Sequence, residues 1–334
     1  MATHSSPIDF SVTFADEGAT LLIPERLCVL EAVEFKDVCA QLCDQSPRLR
    51  SIVLDLSQTV FIDSSGVGAI VSIYKGADKL AIPLLLREAG PQVMAVLALT
   101  GLDAVLDVQP ASAGEMDATD SPKRREESLP ATHPSVRSLL KRTIDIVGAL
   151  MGLTITGILA IPIVIAIRLD SPGPIFFSQE RCGWLGKRFR LWKFRSMVSD
   201  AEARRHEVKN EAEGAFFKNA SDPRITSVGR FLRRTSLDEL PQFWNVLRGE
   251  MSLVGTRPPT PDEVAHYEVP QWQRLDVRPG MTGEWQVNGR SSITNFEDVI
   301  RLDLAYQENW SLKHDLKLIF KTVWILFQKN SGAV

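Results

Sequence analysis

Cysteine and histidine are too sparse and too scattered in this 334-residue chain to build a metal centre or a disulfide framework. The four cysteines (Cys28, Cys39, Cys43, Cys182) include no Cys-x-x-Cys pair, and the five histidines show no ligand spacing. Reduced thiols in a cytosolic setting are therefore expected. No Asp-x-Asp motif occurs, which weighs against a metal-dependent glycosyltransferase that forms an ordinary glycosidic bond. Internal repeats are absent. The opening Met-Ala-Thr-His-Ser-Ser-Pro lacks the basic start and apolar run of a signal peptide, so the N-terminal region is expected to stay in the cytoplasm.

Charge is present but unevenly distributed. The formal net charge is −3, yet residues 1–110 carry 7 Lys+Arg against 14 Asp+Glu, and residues 135–334 carry 28 against 22. An acidic module thus precedes a basic one, suited to anionic lipid or phosphorylated ligands. No nucleic-acid motif accompanies the basic excess, and no nucleic-acid partner is expected.

Residues 8–110 read as a small α/β domain. Strands are expected at Phe10–Phe14, Thr20–Ile23, Ser51–Leu56 and Ala81–Arg87. Helices are expected at Glu31–Leu42, from Ser64 to Lys75, and at Pro91–Leu99. The polar, proline-containing stretch 111–135 reads as a flexible linker. Ile146–Ile167 follows, 22 residues without a charge and long enough to cross a hydrocarbon core. Pro162 inside it predicts a kink or break. Basic residues at both ends (Lys141, Arg142, Arg168) leave the orientation open between a span and a helix that enters and returns on one face. Beyond it, Ile175–Gln179 and Arg188–Phe194 read as paired strands and Ala201–Lys209 as a charged helix. Two helical runs follow Phe296. The last, Leu316–Phe327 with Trp324 and flanking lysines, suits a bilayer surface.

The densest chemistry lies in Thr235–Gly249, where Asp238 and Glu239 stand side by side. Arg230, Arg233 and Arg234 precede them and Arg257 follows. Successive helical residues point about 100° apart, so the two acids cannot do the same job. One can attack while the other holds a metal. The surrounding arginines keep both ionised and suit phosphate oxygens. Ser236-Leu-Asp-Glu239 is also a capping-box pattern, and Pro241 makes a start nearer Asp238 equally possible.

Two resemblances extend this reading. The run Val53–Gly68 resembles the STAS family, the fold of bacterial anti-sigma factor antagonists. Within Asp63-Ser64-Ser65-Gly66, Ser64 falls at the family's phosphorylated serine. That resemblance implies a regulatory site, with a regulatory protein or kinase as partner, although both serines could simply cap a helix. Residues 136–334 resemble the monotopic phosphoglycosyl transferases. The blocks that carry this are Lys141-Arg-Thr-Ile-Asp-Ile146, Trp192-Lys-Phe-Arg-Ser-Met197, Ser236-Leu-Asp-Glu-Leu-Pro-Gln242, Met251-Ser-Leu-Val-Gly-Thr-Arg-Pro258 and Arg278–Arg290.

The second resemblance implies a membrane-inserted α+β domain with a re-entrant helix at about residues 143–168, broken at Pro162. It implies transfer of sugar 1-phosphate from a UDP-sugar to polyprenol (undecaprenol) phosphate through a covalent aspartyl intermediate, releasing UMP, as the first step of exopolysaccharide or glycan assembly. Asp238 matches the nucleophile and Glu239 the residue linked to Mg²⁺. Lys193, Arg233, Arg257, Gln286, Asn288 and Arg290 fall at positions suited to substrate binding. The location implied is the cytoplasmic face of the inner membrane. The competing reading is a catalytically degenerate scaffold that anchors the STAS-like module.

Overall fold

The computed structural model describes residues 10–15, 18–45, 49–111, 132–208, 219, 221–289 and 296–327. The chain divides into two compact units. The first comprises Met1–Thr132, Leu185–Lys187 and Tyr267–Asp276; the second comprises His133–Trp184, Arg188–His266 and Val277–Val334.

In the first unit a five-stranded sheet is built from β1 (Val12–Ala15), β2 (Gly18–Leu22), β4 (Ser51–Asp55), β6 (Leu84–Ala89) and β7 (Asp107–Pro110), neighbours in that order. Only the β1–β2 pair is antiparallel. A short parallel pair, β3 (Arg26–Leu27) with β5 (Phe61–Ile62), stands apart from it. Helices α1 (Val29–Gln45), α2 (Ser64–Lys79) and α3 (Pro91–Thr100) connect the strands. The sheet's apolar side chains (Ala19, Leu21, Ile52, Leu54, Leu86) and Val67, Ile70 and Ile73 of α2 form the core. All the larger elements read from the sequence of residues 8–110 are present. The two-residue strands carry too short a pattern to be read, and β7 has no counterpart among the strands expected from the sequence.

Asp63, not a serine, caps α2, its carboxylate accepting from Gly66 N–H at 2.9 Å. Ser64 is fully buried by the segment Tyr267–Asp276 of the same unit. Its amide donates to Asp276 Oδ1 at 3.0 Å, and its Oγ lies 2.5 Å from that oxygen and 2.6 Å from Trp272 O. One hydroxyl proton thus faces two acceptors. Burial raises Asp276 to about 6; burial and the neighbouring Asp276 charge raise Asp63 to about 7.

The second unit is organised on α5 (Leu139–Asp170), which follows the single turn α4 (Pro134–Arg137). α5 is long and apolar enough to cross a membrane, and only 17% of its most apolar stretch is buried. Val147, Met151, Ile155, Ile158, Ile161 and Ile165 face outward. Helical structure continues through Pro162 to Asp170. The other face is a stripe of small residues. A Cβ on Gly148 would stand 2.5 Å from Leu253, and one on Gly152 would stand 2.4 Å from the Phe243 ring.

The Lys141–Asp145 block clamps the start of α5. Lys141 Nζ reaches Val254 O at 3.0 Å and the buried Asp315 at 2.5 Å. Arg142 donates to Val246 O and Leu247 O, and Asp145 accepts from Ser252 Oγ and Leu253 N–H. Those carbonyls belong to the last turn of a helix, where a cation is favoured.

Around this clamp lie the hairpin β8 (Phe176–Cys182) and β9 (Arg188–Phe194), helices α6 (Ser227–Arg234) and α7 (Gln242–Arg248), and strand β10 (Ser252–Val254). Helix α8 (Pro261–Ala265) carries a capping box, and β11 (Gly280–Thr282) pairs parallel with β10. Helices α9 (Glu284–Gly289), α10 (Phe296–Glu308) and α11 (Leu312–Phe327) complete the unit. Phe320, Val323 and Trp324 of α11 are exposed while Leu318 is buried. The charged helix expected at Ala201–Lys209 is only a 3-10 turn, Ala203–Glu207. It has few apolar residues to bury, and short helices need tertiary packing.

The raised carboxyl values set a pH dependence. Each group's native value lies above its unfolded value of about 4, so its stabilising contribution is complete below about pH 4 and is lost as pH rises towards 7. Asp276→Asn is expected to flatten the fall in thermal stability between pH 5.5 and 8 by about 1 kcal/mol. Calorimetry of variant and wild type at both pH values checks this; parallel pH profiles would contradict it.

Candidate active site

Asp238 and Glu239 sit on a 3-10 turn, Leu237–Glu239, between α6 and α7. Neither capping arrangement read from the sequence occurs. Ser236 makes no side-chain cap bond and holds a left-handed backbone, φ +56°, while α7 begins at Gln242 after Pro241. Such a conformation costs a non-glycine residue about 1 kcal/mol and is retained where the surroundings enforce it. Here it lets the chain leave α6 and turn both acids before proline starts the next helix.

The two acids differ as their adjacency requires. Asp238 is buried, 5% exposed. Glu239 is partly exposed and accepts from Lys193 Nζ at 2.8 Å. Lys193 comes from β9, which the fully buried Asn245 of α7 fixes in place. Asn245 Nδ2 donates to Arg190 O at 2.6 Å and its Oδ1 accepts from Trp192 N–H at 3.2 Å. Arg233 donates through Nε to Ser196 Oγ at 2.9 Å. Burial lowers the Arg233 guanidinium, opposed by the nearby Asp238 charge.

Two cavities open here, of about 360 and 270 Å³, and share Arg181, Lys193 and Arg257 in their walls. Arg233, Arg195 and Ser196 line the larger. Glu239, Gly280, Thr282, Trp285 and Gln286 line the smaller. Arg257 is held in a fork by Glu263 at 2.7 and 3.1 Å. Burial works against the Glu263 carboxylate, but Arg257 and Arg181 hold it below the usual range. Arg181, which donates to Pro258 O at 2.8 Å, is pushed down to about 10 by burial and by the Arg257 charge. Arg181 Nε, Trp285 Nε1 and Gln286 Oε1 are buried without a hydrogen-bond partner. Each such atom costs about 1–3 kcal/mol unless a ligand completes it.

Of the residues singled out from sequence, Lys193, Arg257, Glu239, Gln286 and Arg233 converge on these cavities. Asn288 does not. It is exposed, and it pairs with Glu284 at 2.6 Å and with Lys321 at 2.5 Å. Arg290 lies outside the described residues. Arg181, Asn245 and Glu263 were missed. The alternation of the β8 strand could have flagged Arg181; the other two act through partners that no local pattern identifies. Backbone crowding explains the glycines, since a Cβ on Gly283 would stand 2.2 Å from Gly255 O. Among the described residues no three His, Cys, Asp or Glu side chains converge into a metal cage. Glu239 at the cavity wall is still compatible with Mg²⁺, which takes one or two carboxylates and fills its shell with phosphate oxygens and water.

Comparison with known proteins places this constellation. Residues 136–329 match the bacterial sugar transferase family, more than half of the chain. The chain belongs to the bacterial sugar transferase family. Residues 12–114 match the STAS domain. The transferase region is 50% identical over 190 residues to galactosyl transferase CpsE of Streptococcus agalactiae, covering 56% of this chain and 42% of that protein. It is 42% identical over 201 residues to the UDP-glucose:undecaprenyl-phosphate glucose-1-phosphate transferase of Escherichia coli, covering 57% and 40%. The chain thus spans about two fifths of the length of these relatives. It covers 93% of the exopolysaccharide production protein ExoY of Rhizobium meliloti, at 35% identity and 62% of this chain. Among solved structures, the anti-sigma factor antagonist SpoIIAA in its unphosphorylated form aligns at 16% identity over 31% of this chain and 90% of that one, with a TM-score of 0.27.

Proposed function

We propose that this sugar transferase moves a sugar 1-phosphate from a UDP-sugar to undecaprenol phosphate, releasing UMP, at the start of exopolysaccharide or glycan assembly. The carrying observation is the pair of cavities that share Arg181, Lys193 and Arg257 beside the acid pair. Three cations common to both suit a diphosphate whose two ends need different surroundings. The relatives' names supply the substrate class.

In this reading an Asp238 carboxylate oxygen attacks the β-phosphorus of the UDP-sugar. The bond to the bridging oxygen breaks, and UMP leaves with that oxygen. A phosphate oxygen of undecaprenol phosphate then attacks the same phosphorus and returns the carboxylate. Burial strips Asp238 of water, which favours attack, and the Arg233 guanidinium lies close enough to feel its charge. Arg181, Lys193 and Arg257 take up charge on the leaving phosphate, the main requirement of phosphoryl transfer. When bound, Mg²⁺ would supply further neutralisation of the diphosphate, with Glu239 as its protein ligand. Such chemistry is expected on the cytoplasmic face of the inner membrane, with α5 entering and leaving on that face and bending at Pro162.

A detergent-solubilised assay that reads UMP from a panel of UDP-sugars tests the activity. Asp238→Asn is expected to abolish release by at least about 10³-fold while folding is retained. Glu239→Gln should raise the Mg²⁺ requirement and reduce turnover. Substantial turnover in the Asn variant would remove Asp238 from the role of nucleophile. For topology, cysteines introduced at Arg137 and Pro172 should both be labelled from the cytoplasm only. Labelling of one from each side would establish a span.

A further inference from the structure

We propose that the Ser64 face of the N-terminal fold is a binding surface whose ligand is the chain's own segment Tyr267–Asp276. Its occupancy sets the order of the cavity strand β11. The first unit includes that segment.

The fit is specific on both sides. Ser64 receives two partners from the segment, Asp276 Oδ1 and Trp272 O. One helical turn on, a Cβ at Gly68 would stand 2.4 Å from the Trp272 indole, so this glycine leaves the room the ring occupies. Trp272 is 8% exposed. The segment is also braced internally, since Arg274, fully buried, donates to Tyr267 Oη at 2.5 Å and stacks on its ring at 5.7 Å. An exposed ion pair, Lys36 with Glu268 at 2.9 Å, adds a contact to α1.

The surface cannot hold this segment and a second anion together. Asp276 Oδ1 already lies against Ser64 Oγ, the charge of Asp276 is felt by the adjacent Asp63, and Ser65 Oγ is buried without a partner. Added negative charge at Ser64 meets repulsion as well as a lack of space. Departure of the segment would be felt close by in sequence. Only Val277, Arg278 and Pro279 separate Asp276 from β11, a tether of roughly 10 Å when extended. Ser252 N–H donates to Pro279 O, and Gly280 N–H to Thr256 O, both at 2.8 Å. These bonds set the register of β11, whose Gly280, Met281 and Thr282 line the smaller cavity. That this cavity holds substrate rests on the function proposed above; the docking does not.

Hydrogen exchange read by mass spectrometry on the full chain in detergent micelles separates the two. Gly68→Ala wedges out Trp272 while favouring the helix, and Ser64→Glu adds charge. Both are expected to raise exchange in peptides spanning residues 267–276 at least about tenfold, with exchange in 277–282 rising alongside and β4 staying protected. Should Ser64→Glu also expose β4, Gly68→Ala alone decides. Wild-type exchange at 267–276 in Gly68→Ala would overturn the docking. Release of 267–276 with 277–282 unchanged would overturn the link to the cavity. Because turnover is not read, failure of the transferase assay leaves this result standing.

Discussion

The ion pair between Lys193 and Glu239 is the constraint on which the transferase unit turns. A lysine and a carboxylate half-withdrawn from water attract each other far more than exposed ones do, and they must be delivered to one point from separate elements. Asn245 does this for Lys193 by tying β9 to α7. The strained Ser236 does it for Glu239 by turning the chain before Pro241. Arg181 and Arg257 then crowd into the same wall, and the single carboxylate Glu263, forked to Arg257, faces both. The surplus of positive charge is what the cavities have to offer an anion.

The same economy of position governs the membrane helix. One helix must present apolar side chains outward and still hold a polar enzyme in register. α5 divides the task between faces, with Gly148, Ala149 and Gly152 set against Leu253 and Phe243. At its start, Lys141, Arg142 and Asp145 turn backbone groups of α7 and β10 into fixed partners. The buried Lys141–Asp315 pair is further satisfied by Tyr306 Oη and Trp310 Nε1, which keeps its desolvation tolerable.

Much of this was legible in the amino-acid order because the signals are local. Alternation marked β8 and β9, an uncharged run marked α5, and adjacent acids among arginines marked the turn at 237–239. What escaped depends on residues distant in sequence. Nothing near Ser64 announces that Trp272 and Asp276, more than 200 positions on, will bury it. Nothing near Arg257 names Glu263 as its fork partner rather than a phosphate. The capping pattern at Ser236 misled for the opposite reason. Its local preference is real but weak, worth about 1 kcal/mol, and the packing of α6 and α7 overrides it.

The central claim is that Asp238, buried next to the Glu239 that lines a cation-rich cavity, becomes covalently attached to sugar 1-phosphate. Intact-mass spectrometry of the purified protein, given a UDP-sugar accepted by the enzyme but no lipid acceptor, measures this directly. The account predicts a mass increase of one sugar phosphate, mapping to Asp238 and discharged when undecaprenol phosphate is added. An unmodified protein that nevertheless releases UMP as soon as lipid is supplied would contradict it.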